Sequence, residues 1–389
     1  MNFELSDEQR EIRNLCRQFA GEVVAPAAAE LDQQHRFPDQ IVAQMGELGL
    51  FGLPFPESVG GVGADFLSYC LAVEEISRAD AGVGITLEAA VSLGAAPIYE
   101  YGSEAQRQHW LPELLSGRKL WAFGLTEPGS GSDAGAIVTR ARLRDGQWVI
   151  NGAKQFITNS GTTISAGVTI TALTEAGIGG NPHLISALLV PRETPGYTVL
   201  PSYHKLGWHS SDTHPLAFDD CSVPEENILG RRGGGQAQFL KTLTGGRIAI
   251  AALSVGLAQA CLDAALSYAK SRAAFGAPIA KLQAIRFKLA DMATETELAR
   301  LITYRAAVAY QSLDSLLEVG RLASMAKLYA SEAAKRAADQ AVQIHGGYGF
   351  IEDYPVARYW RDAKINEIGE GTSEIQRMLI ARWLIDSPS

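Results

Sequence analysis

The sequence predicts a multidomain α and β protein. An N-terminal helical domain (residues 1–120) leads into a central antiparallel β domain (121–229), and a C-terminal helical bundle (230–389) follows. Three observations carry this. Apolar residues recur at helical spacing through the first third, the period changes to two at Trp121, and long Ala/Leu-rich helical patterns follow the glycine-rich stretch Gly230–Gln236. At 389 residues the chain is also too long for one ordinary core, so two or three domains are expected.

The first helix begins at Ser6, where Ser6 and Gln9 form a capping box ahead of the stripe Ile12, Leu15, Cys16, Phe19 and Val23. Pro26 falls near its end. Further helical patterns cover about Pro38–Leu48, Asp65–Ser77, Gly82–Tyr101 and Glu104–Leu115, separated by punctuation such as "GLPFPESVGGVG". In the middle third, Trp121, Phe123 and Leu125 alternate with smaller residues. "ARLRDGQWVINGAKQFITN" then carries Asp145-Gly146 and Asn151-Gly152, both turn signals between β-favouring segments. "GVTITAL", "LISALLVP" and "LAFDDCSVP" read as further strands. In the last third, helical patterns of 25 or more residues with short breaks suggest a bundle.

Composition narrows the function. Hydrophobic residues make up 47% and charged residues 20%, as in a folded soluble protein. The formal charge of −9 comes with no basic cluster, so nucleic acid is not an expected partner. Four dispersed cysteines without CxxC argue against a disulfide framework or a cysteine zinc site and suit a reducing compartment. The N-terminus shows no basic region followed by an apolar run, and the uncharged Ala/Gly-rich run Ile248 to Leu262 is shorter than a membrane span. A cytoplasmic protein with no membrane span is expected.

Four stretches could carry chemistry. "FGLTEPGSGSDAGA", Phe123–Ala136, packs small residues and hydroxyls after a strand, exposing backbone N–H groups to an anion or a polar ring edge; a plain hairpin is the alternative. "QIHGGYGFIEDYPVARYWRD", Gln343–Asp362, breaks a helical region with glycines, which fits close backbone approach to a ligand or a helix-ending turn. His204, His209 and His214 lie five apart in a loop containing Gly and Pro, a poor spacing for a metal site. "EIGEGTSEIQR" sets the lone acid Glu370 between Gly369 and Gly371. Either a Ser373–Gln376 capping box follows it and the acid merely favours a helix N-terminus, or the glycines clear room for a ligand. No GxGxxG opens a helix after a strand and no GKS/T loop occurs, so Rossmann and P-loop sites are unsupported.

Taken together, these stretches resemble the acyl-CoA dehydrogenase family of flavoproteins, of short- or medium-chain type. "GLTEPGSGSDAGA" resembles the first family signature and "QIHGGYGFIEDYPVARYWRD" the second. "SRAAFGAPIAKLQAIRFKLADM" and "EIGEGTSEIQR" are also typical, and the likeness runs from about Leu5 to Leu384. The resemblance implies a C-terminal four-helix bundle, a homo-oligomer, usually a tetramer, and FAD as cofactor. The implied reaction is α,β-dehydrogenation of an acyl-CoA substrate, with an electron-transfer flavoprotein as electron acceptor.

By the same resemblance Glu370 is the catalytic base. Phe123, Leu125, Thr126, Gly131 and Ser132, with Phe156, Ile157 and Thr158, line the flavin. Arg272, Phe275, Gln283, Gln343, Ile344, Gly346 and Gly347 correspond to residues that bind the FAD of a neighbouring subunit, and Thr372 and Glu374 also touch FAD. Ser132, Thr244, Arg247 and Gly371 match substrate contacts. The chemical need is plain: a thioester α-proton is weakly acidic, so a carboxylate must take it while the carbonyl is polarised.

The chain departs from the family pattern at two places. Gly369 stands where many relatives have a bulky aromatic, and Thr244 where many have an acid. Relatives lacking the acid at the position of Glu370 carry it where this chain has Gly246, which leaves Glu370 as the single candidate. An acyl-CoA oxidase, a branched-chain dehydrogenase and an inactive scaffold relative are the alternatives on the same fold.

Overall fold

The structure, a computed structural model, describes residues 4–174, 184–312 and 316–386. Helix α1 (Asp7–Phe19) carries the expected Ser6–Gln9 capping box. A π turn at Ala20–Val24 carries the chain into α2 (Ala25–Gln34), which accommodates Pro26 in its first turn, where a missing N–H costs least. α3 (Asp39–Glu47) follows. Asp65 and Asp80 then cap α4 (Phe66–Ala79) and α5 (Ala81–Glu88) by accepting from the backbone N–H groups of Ser68 and Val83. The pattern over 82–101 reads as one helix, and the chain is helical throughout, with α5 passing at Glu88 through a π turn (Ala89–Ala95) into α6 (Ala96–Tyr101), whose first turn holds Pro97. α7 (Glu104–Leu115) closes the helical region.

The strands are β1 (Leu120–Gly124), β2 (Arg140–Arg144), β3 (Gln147–Thr158), β4 (Ser165–Thr174), β5 (Leu184–Pro191), β6 (Tyr197–Val199), β7 (Thr213–Pro224) and β8 (Ile228–Leu229). They form one sheet in the order β6-β7-β3-β2-β4-β5-β8, with β1 added beside β4. Pairing is antiparallel except for β1 and β2, which both run parallel to β4. Asp145-Gly146 makes the β2–β3 turn, both residues having positive φ. Asn151-Gly152, expected as a second turn, instead lies inside β3. The ladder to β7 slips between Ile150 and Gly152, and Gly152 lets Thr139 pack where a Cβ would sit.

Helix α8 (Gly235–Ser271) leads to the small pair β9 (Ala273–Ala274) and β10 (Ala277–Pro278). Then come α9 (Gln283–Ser312), α10 (Leu316–His345), α11 (Pro355–Asn366) and α12 (Ser373–Asp386). α8 and α10 pack along their lengths, and α4 and α5 of the first region dock on α8. Ala81–Tyr101 and Gly235–Ser271 are long and apolar enough to cross a bilayer, but 89% and 78% of their apolar windows are buried inside the protein. One core joins the helical regions with Trp121 of β1. A second lies within the sheet around Trp148, Ile170, Leu188 and Phe218.

The Phe123–Ala136 loop is tied to the sheet by a buried ion pair. Lys154 Nζ lies 2.8 Å from Glu127 Oε1 and also donates to Leu125 O and Thr171 Oγ1. Glu127 in turn accepts from the backbone N–H groups of Val138 and Thr139. Removing one partner leaves an uncompensated buried charge. Lys154→Met should therefore destabilise the protein by about 3–5 kcal/mol, read as a lowered thermal midpoint, whereas Lys154→Met combined with Glu127→Gln should recover much of the loss.

Candidate active site

The acid singled out by its two glycines sits in the turn between α11 and α12. Gly369 N closes the end of α11 on Ile365 O at 2.9 Å, and Ser373 N reaches back to Glu367 O at 3.0 Å. Between them Glu370 and Gly371 both take positive φ, 55° and 97°. For glutamate this backbone is strained and must be held by its surroundings. The clamp is visible. Gln376 Nε2 donates to Glu370 O (3.3 Å) and Gly371 O (2.9 Å), Arg247 Nε to Glu370 O (3.4 Å), and Lys327 Nζ to Gly371 O (2.8 Å). Gly371 is demanded by this conformation. Gly369 is not, for a Cβ there would meet only Ile365 O, at an ordinary contact distance of 3.6 Å.

The expected Ser373–Gln376 capping box does not form. Thr372 Oγ1 accepts from Ile375 N at 3.3 Å, Ser373 is already the first helical residue, and Gln376 is drawn instead into the clamp. Both carboxylate oxygens of Glu370 are buried without a hydrogen-bond partner. Its backbone N–H makes no hydrogen bond among the described residues. Gly246 of α8 lies against the carboxylate, where any side chain would collide with it.

A residue that the sequence reading passed over completes this pocket. Glu88, fully buried at the end of α5 where the π turn starts, faces Glu370. Its carboxylate accepts from Ser92 Oγ through one oxygen, while the other has no partner. Burial pushes the Glu370 carboxyl up to about 7, with Glu88, Lys327 and Arg247 acting in the opposite direction. Burial and the Glu370 charge push Glu88 well above the usual carboxylate range. Two such acids cannot both ionise in a dry site, so Glu88 keeps its proton and Glu370 carries the charge. The signal in the sequence was one acid inside the apolar run "GITLEAAVSLG".

The remaining site residues fall into two clusters. The first gathers around this pocket and the sheet. Gln155 N donates to Thr126 O at 2.8 Å, which joins the Phe123–Ser132 loop to the Phe156–Thr158 segment of β3. Phe123 stacks on Phe239 of α8 with centroids 4.0 Å apart, and Gly135 packs beside Gln236. Thr126 and Thr158 are half-buried and Ser132 is exposed, and their hydroxyls make no hydrogen bond among the described residues. Phe156 has φ 60° and an exposed ring. Leu125 is half-buried, whereas the Ile157 side chain is in the sheet core and leaves only main chain to offer. Thr244 is half-buried, one turn before the buried Arg247 on α8. Thr372 caps α12, and Glu374 beside it is exposed and held below the usual carboxylate range by its own backbone N–H and the Thr372 hydroxyl.

The second cluster lies at the far end of α8. From Arg247 to Arg272 the chain rises about 37 Å along a straight helix, so Arg272 cannot reach the Glu370 pocket. Arg272 lies over Tyr348, 5.4 Å from its ring centroid, and lines a cavity of about 440 Å³ with Tyr268, His345 and Tyr354. Phe275 follows with φ 55° and 94% exposure. Gln283 and Gln343 are exposed, and Ile344 is buried in the helical core. A Cβ at Gly346 or Gly347 would meet nothing within 4 Å, and the same holds at Gly129 and Gly131 of the first cluster. The histidines do not converge. His209 pairs with Asp32 and stacks on His35, while His214 pairs with Asp212, and no metal-binding group occurs among the described residues.

Three family models cover the chain almost end to end: the acyl-CoA dehydrogenase N-terminal domain over residues 6–118, the middle domain over 122–221 and the C-terminal domain over 233–385. The chain belongs to the acyl-CoA dehydrogenase family. A Bacillus subtilis protein named "Probable acyl-CoA dehydrogenase YngJ" is 51% identical over 385 residues, covering 99% of this chain and 100% of that one. Butyryl-CoA dehydrogenase from Megasphaera elsdenii superposes with a TM-score of 0.94 at 43% identity, over 99% and 100% of the two chains. An acyl-CoA dehydrogenase complexed with FAD from Bacillus anthracis gives 0.92 at 35%, over 98% of this chain and 67% of that one.

Acyl-CoA dehydrogenases are FAD-dependent oxidoreductases, and the residues present here fit that group. Open glycine cradles, unengaged hydroxyls at Thr126, Ser132 and Thr158, and exposed aromatic rings at Phe156 and Phe275 are what a large planar cofactor with a polar tail requires.

Linkage makes the raised acid measurable. A carboxyl whose folded pKa lies above its unfolded value leaves the native chain binding more protons, so its contribution to stability falls as pH rises from about 4.5 to about 7. Glu370→Gln should remove this loss. Its thermal midpoint should gain on wild type across that window, by an amount corresponding to a few kcal/mol, and should gain nothing further above it.

Proposed function

We propose that this acyl-CoA dehydrogenase removes the α-proton and β-hydride of a short- to medium-chain acyl-CoA to give the trans-2-enoyl thioester, with Glu370 as the base. The observation that carries the reading is the Glu370 carboxylate: its oxygens are buried without a fixed hydrogen bond, beside the proton-bearing Glu88, and that burial holds it up to about 7. A base of that strength is poised at neutral pH, and a dry site spares it the cost of shedding water before it reacts. The Glu370 N–H is free to polarise the thioester carbonyl as negative charge develops there, and the clamp on the turn keeps donor and base in one geometry. Arg247 and Gly371 border the same turn, which supports their role at the substrate, with Ser132 and Thr244 as further contacts. When bound, FAD supplies the ring that accepts the hydride.

Phe123, Leu125, Thr126, Gly131, Ser132, Phe156, Ile157, Thr158, Thr372 and Glu374 are assigned to the flavin of their own chain. Arg272, Phe275, Gln283, Gln343, Ile344, Gly346 and Gly347 are assigned to that of a second copy. The span of α8 between the clusters supports this division, and with it a homo-oligomer, in our reading a tetramer. The match to butyryl-CoA dehydrogenase supports a short acyl chain. Reoxidation by an electron-transfer flavoprotein completes the cycle, and the four unpaired, buried thiols support a cytoplasmic, reducing location.

Glu370→Gln should retain FAD and bind acyl-CoA, yet lose anaerobic flavin bleaching by several orders of magnitude, because the proton acceptor is gone. Near-normal bleaching would overturn the assignment. In wild type, kcat should rise with pH through a limb near 7, the proton-bearing form of Glu370 being inactive. Arg272→Ala should weaken both flavin retention and subunit assembly, measured by absorbance after gel filtration and by sedimentation. A panel of straight and branched acyl-CoAs, followed by flavin reduction under argon, sets the chain length.

A further inference from the structure

Lys327 lies in the middle of α10, a helix that is otherwise alanine-rich on its buried side (Ala323, Ala326, Ala330, Ala333, Ala334), and it is itself 0% exposed. A buried ammonium is costly unless its charge and donors are used. Among the described residues only one of its three donors has a hydrogen-bond partner, Gly371 O at 2.8 Å. That carbonyl belongs to the second of the two left-handed residues, so the bond falls next to the strained Glu370 backbone.

The groups facing the Glu370 carboxylate come from four helices: Glu88 from α5, Tyr69 from α4, Arg247 from α8 and Lys327 from α10. Glu88 keeps its proton and Tyr69 is held neutral by burial, so Arg247 and Lys327 are the cations available. Arg247 spends its Nε on the Glu370 main-chain carbonyl.

We propose that Lys327 is a positioning residue for the proton acceptor: its ammonium pins the Gly371 carbonyl, keeping the turn in its left-handed form, and its charge offsets the desolvation of the Glu370 carboxylate. The proposal rests on the reading of Glu370 as base. Burial lowers Lys327 to about 8, which still leaves it protonated at neutral pH, and the two charges support one another.

The test uses the FAD-loaded enzyme and two readouts: the acid limb of kcat, and infrared titration of the Glu370 carboxyl band, assigned by its loss in Glu370→Gln. In Lys327→Met both should move upward by about one pH unit or more. The rate below the new limb should then fall about tenfold, with KM little changed. Lys327→Arg, which keeps the charge, should restore both toward wild type. A Lys327→Met enzyme whose carboxyl band titrates as in wild type overturns the proposal, as does equal perturbation in Met and Arg variants, which would mark a packing role. Should Lys327→Met fail to fold, Lys327→Gln against Lys327→Arg decides. A shift with Gln alone supports the proposal, and matched behaviour refutes it. An active Glu370→Gln enzyme would instead sink the base assignment, a separate outcome.

Discussion

A carboxylate taken out of water is among the most expensive groups a fold can carry. Glu370 is such a group, and the architecture around it can be understood as the means of tolerating it. α5 brings a second acid that keeps its proton, α8 brings Arg247 and the bare Gly246, α10 brings Lys327, and α12 folds Gln376 back on the turn. These elements come from both helical regions, so the docking of α4 and α5 on α8 is also what assembles the pocket. The π turn that follows Glu88 falls at this point, where a departure from regular helix re-aims a side chain.

The sheet plays a different part. Its own core is independent of the helices, and what it lends the pocket is a loop and a strand end. The Glu127–Lys154 pair fixes the Phe123–Ala136 loop from beneath, and the Gln155–Thr126 bond keeps that loop beside the Phe156–Thr158 segment. Rigid anchoring below leaves small residues and hydroxyls free above, which suits a surface that must accept a large planar cofactor. α8 then acts as a stiff spacer. Because Arg247 and Arg272 lie about 37 Å apart along it, the two clusters of one chain cannot meet in a single pocket.

Much of this was legible in the residues. Helical period, the switch to alternation at Trp121 and the Asp145-Gly146 turn depend on neighbours a few positions apart, and the structure keeps them. Where local rules misled, a distant partner had intervened. Asn151-Gly152 looks like a turn, but the β7 strand pairs across it and Thr139 fills the space that glycine leaves. Ser373 and Gln376 look like a capping box, but Gln376 is claimed by the carbonyls of Glu370 and Gly371. The pattern over 82–101 holds as one helical run, but it passes through the π turn Ala89–Ala95 just ahead of Pro97, which has no N–H to give the preceding turn.

By itself the sequence determined the order of helices and strands, the kinship with acyl-CoA dehydrogenases, and Glu370 as the one acid set between two glycines, since each is written in contiguous residues. Only the tertiary structure decided that Glu88 faces that acid, that Lys327 and Arg247 brace its turn, and that Arg272 lies out of reach along α8. The physical reason is that burial and charge compensation are properties of groups brought together from far along the chain. No local pattern encodes the loss of water from a carboxylate.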